Sequence, residues 1–209
     1  MNKKIKFIYP ELSLEKDVAI VGSSGSLLKN TNGGLIDSFS EVVRFNRAPV
    51  KEYEKFVGAK TTLRVVNNHV FDNVDISDQG FTNQPKKFVK KLRKSNILFI
   101  GPDIQPWNRR KKNTHKSNTL YKFEYKYSEE LKKIFNLNSS EYLQVGTIFT
   151  LLCVLSEIKP VLFGFDLEPI KRTHYFEERP DRKDEGWHKI SIEMKKLYEL
   201  NQEGTIKVL

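Results

Sequence analysis

A glycine- and serine-rich turn near the start of the chain holds the first residues whose types suggest chemistry. Gly22, Ser23, Ser24 and Gly25 follow an apolar run and precede a segment that could begin a helix. Glycine lets backbone N–H groups approach a phosphate or a ribose closely, and a helix N-terminus adds partial positive charge. The spacing differs from the G-x-G-x-x-G of dinucleotide-binding folds. Taken alone, the segment favours an ordinary strand-to-helix turn, with nucleotide binding as the alternative.

Histidine is the second residue type that could do chemistry, and the chain has His69, His115, His174 and His188. A neutral imidazole can remove a proton from a hydroxyl near neutral pH, and an imidazole that donates an N–H can stabilise a developing negative charge. An isolated histidine in a loop is usually solvated or bonded to the backbone. Residue type alone therefore assigns none of the four to catalysis.

Hydrophobic patterning predicts the elements that must position these residues. Short apolar and β-branched runs predict buried strands at Val18–Val21, Glu41–Phe45, residues 61–66, residues 97–100 and Val161–Phe163. Helical spacing and length predict helices over residues 86–94, 128–135, 147–158 and 187–200. Strands that alternate with helices imply an α/β fold with a mainly parallel central sheet flanked by helices. No repeat or linker divides the chain, so we expect a single domain.

Size, cysteine content and charge bound the class of protein. A chain of 209 residues suits one core, and no apolar run reaches the about 20 residues of a membrane-spanning helix. The start of the chain lacks a signal-peptide pattern, and the single cysteine, Cys153, cannot form an internal disulfide, so we expect a cytoplasmic protein. The net charge of +10 and the basic segment 105–118 fit an anionic partner or a solvated surface.

Four segments together resemble the sialyltransferases of the animal type, glycosyltransferase family 29. Residues 19–67, with the glycine turn, RFNRAP and VGAKTT, resemble the large sialylmotif, and residues 143–166, LQVGTIFTLLCVLSEIKPVLFGFD, resemble the small one. HYFE at residues 174–177 is similar to the third motif, and His188 with Glu193 matches the very small motif. The resemblance implies a single Rossmann-like domain, a variant of the GT-A fold, over residues 17–209, after an N-terminal extension over residues 1–16.

The resemblance also implies roles for individual residues. His188 would be the catalytic base, His174 would contact the phosphate that leaves with CMP, and Gly146 would lie against the cytidine ribose. Glu193 and Tyr175 would orient the local structure. The residues implied in donor binding are Gly22, Ser23, Ser24, Gly25, Asn46, Gln144, Val145, Gly146 and Gly164.

The activity that follows from the resemblance is an inverting transfer of an acidic sugar from a CMP donor to a glycan hydroxyl. The sugar would be sialic acid or a related CMP-linked sugar such as Kdo, and the acceptor a glycan or glycolipid. We expect no metal and no other cofactor, because CMP carries one phosphate and the chain lacks an Asp-x-Asp pair. A cytoplasmic enzyme with this charge could lie at the inner face of an anionic membrane. The alternative is a non-catalytic module that binds a nucleotide, a glycan or nucleic acid; for the enzyme, no nucleic-acid partner is expected.

The chain departs from the family pattern at two groups of positions. The paired cysteines of the family fall at Val18 and Glu157, so the disulfide that joins the two large motifs cannot form. Ser23 replaces the asparagine that usually follows the first glycine, and Gln144 and Val145 replace hydroxyl residues before Gly146. These changes predict a reducing environment and altered contacts to the donor.

Overall fold

The computed structural model describes residues 8–9, 13–67, 96–101, 119–124, 127–137, 143–167, 174–176 and 190–209. The described strands are β1 Ile8–Tyr9, β2 Val18–Val21, β3 Glu41–Phe45, β4 Leu63–Asn67, β5 Asn96–Gly101, β6 Leu120–Glu124, β7 Val161–Phe163 and β8 Lys207–Val208. The described helices are α1 Gly33–Ser38, α2 Glu54–Val57, α3 Ser128–Ile134, α4 Val145–Leu155 and α5 Ile190–Gln202, with a 3-10 helix at Gly25–Lys29.

The described strands form one sheet in the order β1-β6-β5-β4-β3-β2-β7-β8, parallel except where β1 pairs antiparallel with β6. From β2 the chain moves outward through β3, β4 and β5 to β6, and then returns to the other side of β2 for β7 and β8. The carboxyl ends of β2 and β7 therefore flank the point where the direction of winding reverses. Open α/β sheets bind ligands at such a switch point.

The core explains why the central strands have continuous apolar sequences. All four residues of β2 are buried, as are four of the five in both β3 and β4, because layers cover both faces of the sheet. One face packs against a cluster that includes Ile148 and Leu197 of α4 and α5, and the other against Ile36 and Val57 of α1 and α2. The expected single α/β domain with a mainly parallel sheet flanked by helices is confirmed.

Two buried arginines, Arg44 in β3 and Arg64 in β4, interrupt this apolar pattern. Arg44 of β3 is 1% exposed and donates to the carbonyls of Val57, Gly58 and Lys60, which lie at and beyond the end of α2. Burial lowers the pKa of Arg44 to about 10, so the side chain stays protonated at neutral pH. A cation at this end of a helix also interacts favourably with the helix dipole. Arg44 therefore fastens the α2 segment to the sheet.

The structure confirms the five predicted strands, with boundary shifts of one or two residues at β4 and β5. Three strands were not predicted, because β1 and β8 have two residues each and β6, LYKFE, carries charges at two positions. β1 belongs to the 1–16 segment and adds an edge strand, while the division into an extension and a catalytic domain stays a prediction.

Three of the four predicted helices are confirmed as α3, α4 and α5, and the one predicted over residues 86–94 lies outside the described residues. The buried side of α5 includes Leu197 together with the carboxylate residue Glu193. Cys153 is buried within α4, and burial raises the pKa of its thiol. No helix in the described ranges has the length and apolar character needed to cross a bilayer.

Candidate active site at the switch point

The turns after β2 and β7 are packed tightly against each other. The Gly22 N–H donates to the Phe163 carbonyl at 2.8 Å, which extends the β2–β7 pairing by one residue. A Cβ at Gly22 would lie 2.5 Å from the Gly164 carbonyl oxygen and 3.1 Å from the Phe165 ring. Gly164 has φ +68° and would place a Cβ 2.6 Å from Leu27. Packing alone therefore requires glycine at both positions, and their predicted contacts with the donor stay predictions.

The Phe165 ring joins this pair of turns to the start of α4. A Cβ at Gly146 would lie 3.3 Å from the Phe165 ring. The ring also meets Phe45, at the end of β3, edge to face with centroids 6.2 Å apart. The segments after β2, β3 and β7 and the N-terminus of α4 thus meet around one aromatic side chain. Phe165 was not identified from the sequence.

Ser24 links the two turns through hydrogen bonds. Ser24 is the N-cap of the 3-10 helix that begins at Gly25, and its Oγ accepts from the Ser26 N–H and from Ser26 Oγ, both at 3.1 Å. The same hydroxyl donates to the Asp166 carboxylate across the switch point. Asp166 is a site residue that the sequence interpretation missed. The sequence feature that could have identified Asp166 is its position, because it is the first charged residue after β7 and the last residue of the segment that resembles the small sialylmotif.

His174 lies beside the turn after β2, and its implied contact with the phosphate of CMP stays a prediction. Its backbone forms an isolated antiparallel bridge with Ser24, and its Nδ1 donates to the Ser23 carbonyl oxygen at 3.3 Å. Since a carbonyl oxygen can only accept, this contact assigns the Nδ1 proton. The imidazole stacks on the Phe176 ring with centroids 5.2 Å apart. Backbone pairing and stacking thus fix the direction of the ring.

Tyr175 connects His174 to the turn after β3. Its N–H donates to the same Ser23 carbonyl at 3.0 Å, and its hydroxyl donates to the Pro49 carbonyl. Its ring meets Tyr53 edge to face. Burial raises the pKa of Tyr175 to about 12, although the positive charges of Arg44 and Arg64 act in the opposite direction. The orienting role predicted for this residue fits these contacts.

Asn46 begins the turn after β3 and has a left-handed backbone, φ 43°, which asparagine tolerates better than most residues. Its side-chain Oδ1 accepts from the Asn67 N–H at 3.0 Å, and no described residue accepts from its Nδ2. Arg64, 4% exposed, donates from Nη1 to the carbonyls of Asn46 at 3.3 Å and Ala48 at 2.9 Å. Burial, together with the charge of Arg44, lowers the pKa of Arg64 to about 9.

Glu193 fixes the N-terminus of α4. The Gln144 N–H donates to both of its carboxylate oxygens, at 3.2 and 3.0 Å, and Glu193 is 3% exposed. Gln144 makes no side-chain capping bond, and the Val145 side chain packs against the core. The predicted contacts of Gln144 and Val145 with the CMP donor stay predictions.

Several predicted features lie outside the described residues: His188, His69, His115 and the basic segment 105–118. Within the ranges that are described, no three metal-ligating side chains are gathered into a cluster. The assignment of His188 as a base and the expected lack of a metal requirement both stay predictions.

The sequence is similar to proteins named beta-galactoside alpha-2,6-sialyltransferase 2 from several animals. It is 30% identical to the Xenopus tropicalis protein over 155 residues, which cover 65% of this chain and 29% of that one. It is 45% identical to the human protein over 93 residues and 47% identical to the Bos taurus protein over 90 residues, covering 44% and 43% of this chain and 16% of each relative. The matched region thus spans less than a third of the length of these relatives.

The fold is similar to two crystal structures of a mammalian sialyltransferase. The first, in complex with Gal-beta-1-3GalNAc-ortho-nitrophenol, has a TM-score of 0.66 and 18% identity, and the match covers 92% of this chain and 68% of that one. The second has a TM-score of 0.60 and 19% identity with the same coverage. The sequence model described as glycosyltransferase family 29 (sialyltransferase) matches residues 13–205. The chain therefore belongs to glycosyltransferase family 29, the sialyltransferases.

Proposed function

We propose that the chain transfers sialic acid, or a related acidic sugar, from a CMP donor to a hydroxyl of a glycan or glycolipid. The observation that carries this proposal is the convergence of the motif residues. Ser24 after β2, Asp166 after β7 and His174 are joined by hydrogen bonds at the carboxyl edge of the sheet. This is the position where an α/β sheet binds a nucleotide.

His174 would stabilise the phosphate as CMP leaves. Its Nδ1 proton is directed at the Ser23 carbonyl, so a neutral ring would carry no proton on Nε2. Donation to the phosphate therefore requires the imidazolium, with protons on both nitrogens. In that form His174 opposes the negative charge that develops on the phosphate, a contribution of about 10²- to 10³-fold for one well-placed donor.

His188 would act at the other end of the reaction. As a neutral imidazole it would remove the proton of the acceptor hydroxyl while the bond to CMP breaks at the anomeric carbon. Such a base contributes about 10²- to 10⁴-fold. The two histidines then need opposite protonation states, and we expect a bell-shaped dependence of the rate on pH. His188 sets the acidic limb and His174 the alkaline limb.

Asn46 would contribute to donor binding through its amide. Because Oδ1 is bonded to the Asn67 N–H, the group left for a ligand is the Nδ2 amide, which donates. An oxygen of the nucleotide is the matching partner. The Arg64 bonds to this turn keep the Asn46 backbone in its left-handed conformation.

The direct experiment is to incubate the full chain with CMP-sialic acid, CMP-Kdo and other CMP-sugars and to measure release of CMP. Even without an acceptor, slow hydrolysis would identify the sugar. Release from one member of the panel supports the proposal, and transfer to glycan or glycolipid acceptors then defines the product. CMP binding without release from any donor would indicate the non-catalytic binding module instead.

Variants test the assigned roles. His188→Ala should lower CMP release by about 10²-fold or more while CMP still binds, and His69→Ala and His115→Ala are the matched histidine controls. His174→Gln keeps a neutral N–H donor. The alkaline limb of the pH profile should therefore disappear, and the maximal rate of CMP release should be lower than that of wild type. Unchanged turnover in His188→Ala would contradict the mechanism.

Metal independence and location need separate tests. Addition of a chelator should leave CMP release unchanged, and a loss that a divalent ion restores would overturn the expectation of metal independence. Cell fractionation of the full protein would test the proposed cytoplasmic location and contact with anionic membranes.

A further inference from the structure

The Ser24 hydroxyl has no hydrogen-bonding capacity left for a ligand. A hydroxyl has one proton to donate and two lone pairs that accept. The Ser24 proton goes to Asp166 Oδ2, and the two lone pairs accept from the Ser26 N–H and Ser26 Oγ. The sequence implied that Ser24 approaches the donor, yet its side chain is saturated within the protein.

The group that remains available at this place is the second carboxylate oxygen of Asp166. Asp166 is half-buried, follows β7 directly after the Phe165 ring, and bonds through Oδ2 to Ser24 alone among the described residues. No described lysine or arginine lies within ion-pair distance of it. The Ser24 bond also fixes the carboxylate, so Oδ1 has a set direction at the switch point. A fixed acceptor in a candidate ligand site can select among ligand groups.

A carboxylate accepts hydrogen bonds and repels anions, which restricts what can lie against it. The phosphate of a CMP donor and the carboxylate of an acidic sugar are both anionic, so close contact of either with Asp166 is unfavourable. The uncharged donors of the same ligand are the ribose hydroxyls and the amine of cytosine. Carboxylates near a switch point commonly accept from a ribose hydroxyl, and carboxylates also accept from the cytosine amine in base recognition.

We propose that Asp166 is a specificity-determining residue whose free carboxylate oxygen accepts a hydrogen bond from an uncharged donor group of the nucleoside, a ribose hydroxyl or the cytosine amine. The inference rests on the proposed use of a CMP donor. It places the nucleoside on the Asp166 side of the crevice and the phosphate on the His174 side, with Ser24 holding the carboxylate in place.

The test compares four ligands on wild type, Asp166→Ala and Asp166→Asn by calorimetric titration of the full chain. CMP, 2′-deoxy-CMP and 3′-deoxy-CMP probe the ribose hydroxyls, and UMP probes the cytosine amine. Wild type should bind CMP about 10- to 100-fold more tightly than the analogue that lacks the relevant group, since hydrogen bonds to charged groups are among the stronger ones. Which analogue is weakened identifies the group.

In Asp166→Ala the affinity for CMP should fall to that of the weakened analogue, whose own affinity should not change. Asp166→Asn keeps the size of the side chain and one acceptor oxygen, so its affinity for CMP should lie between those of wild type and Asp166→Ala. It replaces the alanine variant in the comparison if that variant shows no cooperative melting transition. Glu203→Gln, which removes an exposed carboxylate just after α5, is the control for net charge.

Two results would overturn the inference while leaving the transferase intact. One is that both Asp166 variants keep the wild-type ratios among the four ligands. The other is that Asp166→Ala binds CMP more tightly, which would mean that the carboxylate faces the phosphate. A wild-type chain that binds no CMP and releases none would overturn the proposed function, and this inference with it.

Discussion

Removal of the Glu193 carboxylate should destabilise the protein, because Glu193 lies on α5 and holds the N-terminus of α4. The carboxylate is 3% exposed and accepts the Gln144 N–H with both oxygens, while Gln144 has no side-chain cap of its own. A hydrogen bond to a charged group contributes about 1.5–3 kcal/mol, and a negative charge at a helix N-terminus adds about 0.3–2 kcal/mol. We therefore expect Glu193→Ala to lower the free energy of unfolding by about 3 kcal/mol.

Thermal unfolding of the full chain measures this loss. For a domain of this size 1 kcal/mol corresponds to about 2–4 °C, so Glu193→Ala should melt about 6–12 °C below wild type. Glu193→Gln keeps an acceptor without the charge and should lose about half as much. Glu199→Gln is the control on the same helix, because Glu199 is partly exposed and pairs with Lys196 at 2.6 Å, and it should melt close to wild type.

Calorimetric titration of the Glu193 variants with CMP connects this loss of stability to the candidate site. Gly146 lies in the first turn of α4, so a displaced helix N-terminus should also weaken CMP binding in proportion to the loss of stability. If Glu193→Ala melts within about 2 °C of wild type, the N–H contact does not hold the helix and the reasoning fails.

The remaining predictions concern packing and pH. Gly33→Ala should cost about 1–3 kcal/mol, because its Cβ would lie 2.0 Å from the Glu54 carbonyl, whereas Gly34→Ala meets no atom within 4 Å and should stabilise by up to about 1 kcal/mol. Melting shifts of equal sign in this adjacent pair would contradict the reasoning. Tyr175→Phe removes the bond to Pro49 and should cost about 1 kcal/mol at neutral pH. Because the pKa of Tyr175 is raised to about 12, its protonated form stabilises the fold fully below pH 10, and the wild-type advantage should diminish as pH rises from 10 to 12, as denaturant unfolding across that range would show.

The strands that could be predicted from the sequence are those in which most residues are buried. Val18–Val21 and Val161–Phe163 are covered on both faces of the sheet, so their sequences are continuously apolar and their bounds agree with the structure. β6 is adjacent to the two-residue edge strand β1 and carries Lys122 and Glu124, so its pattern is not that of a buried strand. Its pairing with β5 depends on contacts between segments distant in sequence, which patterning does not reveal.

The motif residues could be predicted as a set from the sequence, but the structural role of each residue could not. Asp37 lies within residues 19–67, the segment that resembles the large sialylmotif, and its carboxylate accepts the N–H groups of Ala59 and Lys60 at 2.8 and 2.9 Å. Arg64 was overlooked because it lies within a predicted strand, where its three carbonyl contacts leave no trace in the sequence. Such residues position the site without any need to touch a ligand.

The glycine- and serine-rich turn shows most clearly how geometry changes the interpretation of a motif. Gly22 leaves room for the Gly164 carbonyl and the Phe165 ring, so its lack of a side chain is explained before any nucleotide is considered. The Ser24 hydroxyl, the expected ligand contact, is saturated by Ser26 and Asp166. The turn therefore acts mainly as a scaffold that fixes Asp166 on one side and His174 on the other. Discrimination among nucleotides should then depend on the segments the turn holds, and substitutions at Asp166 should alter ligand preference more selectively than substitutions at Gly22.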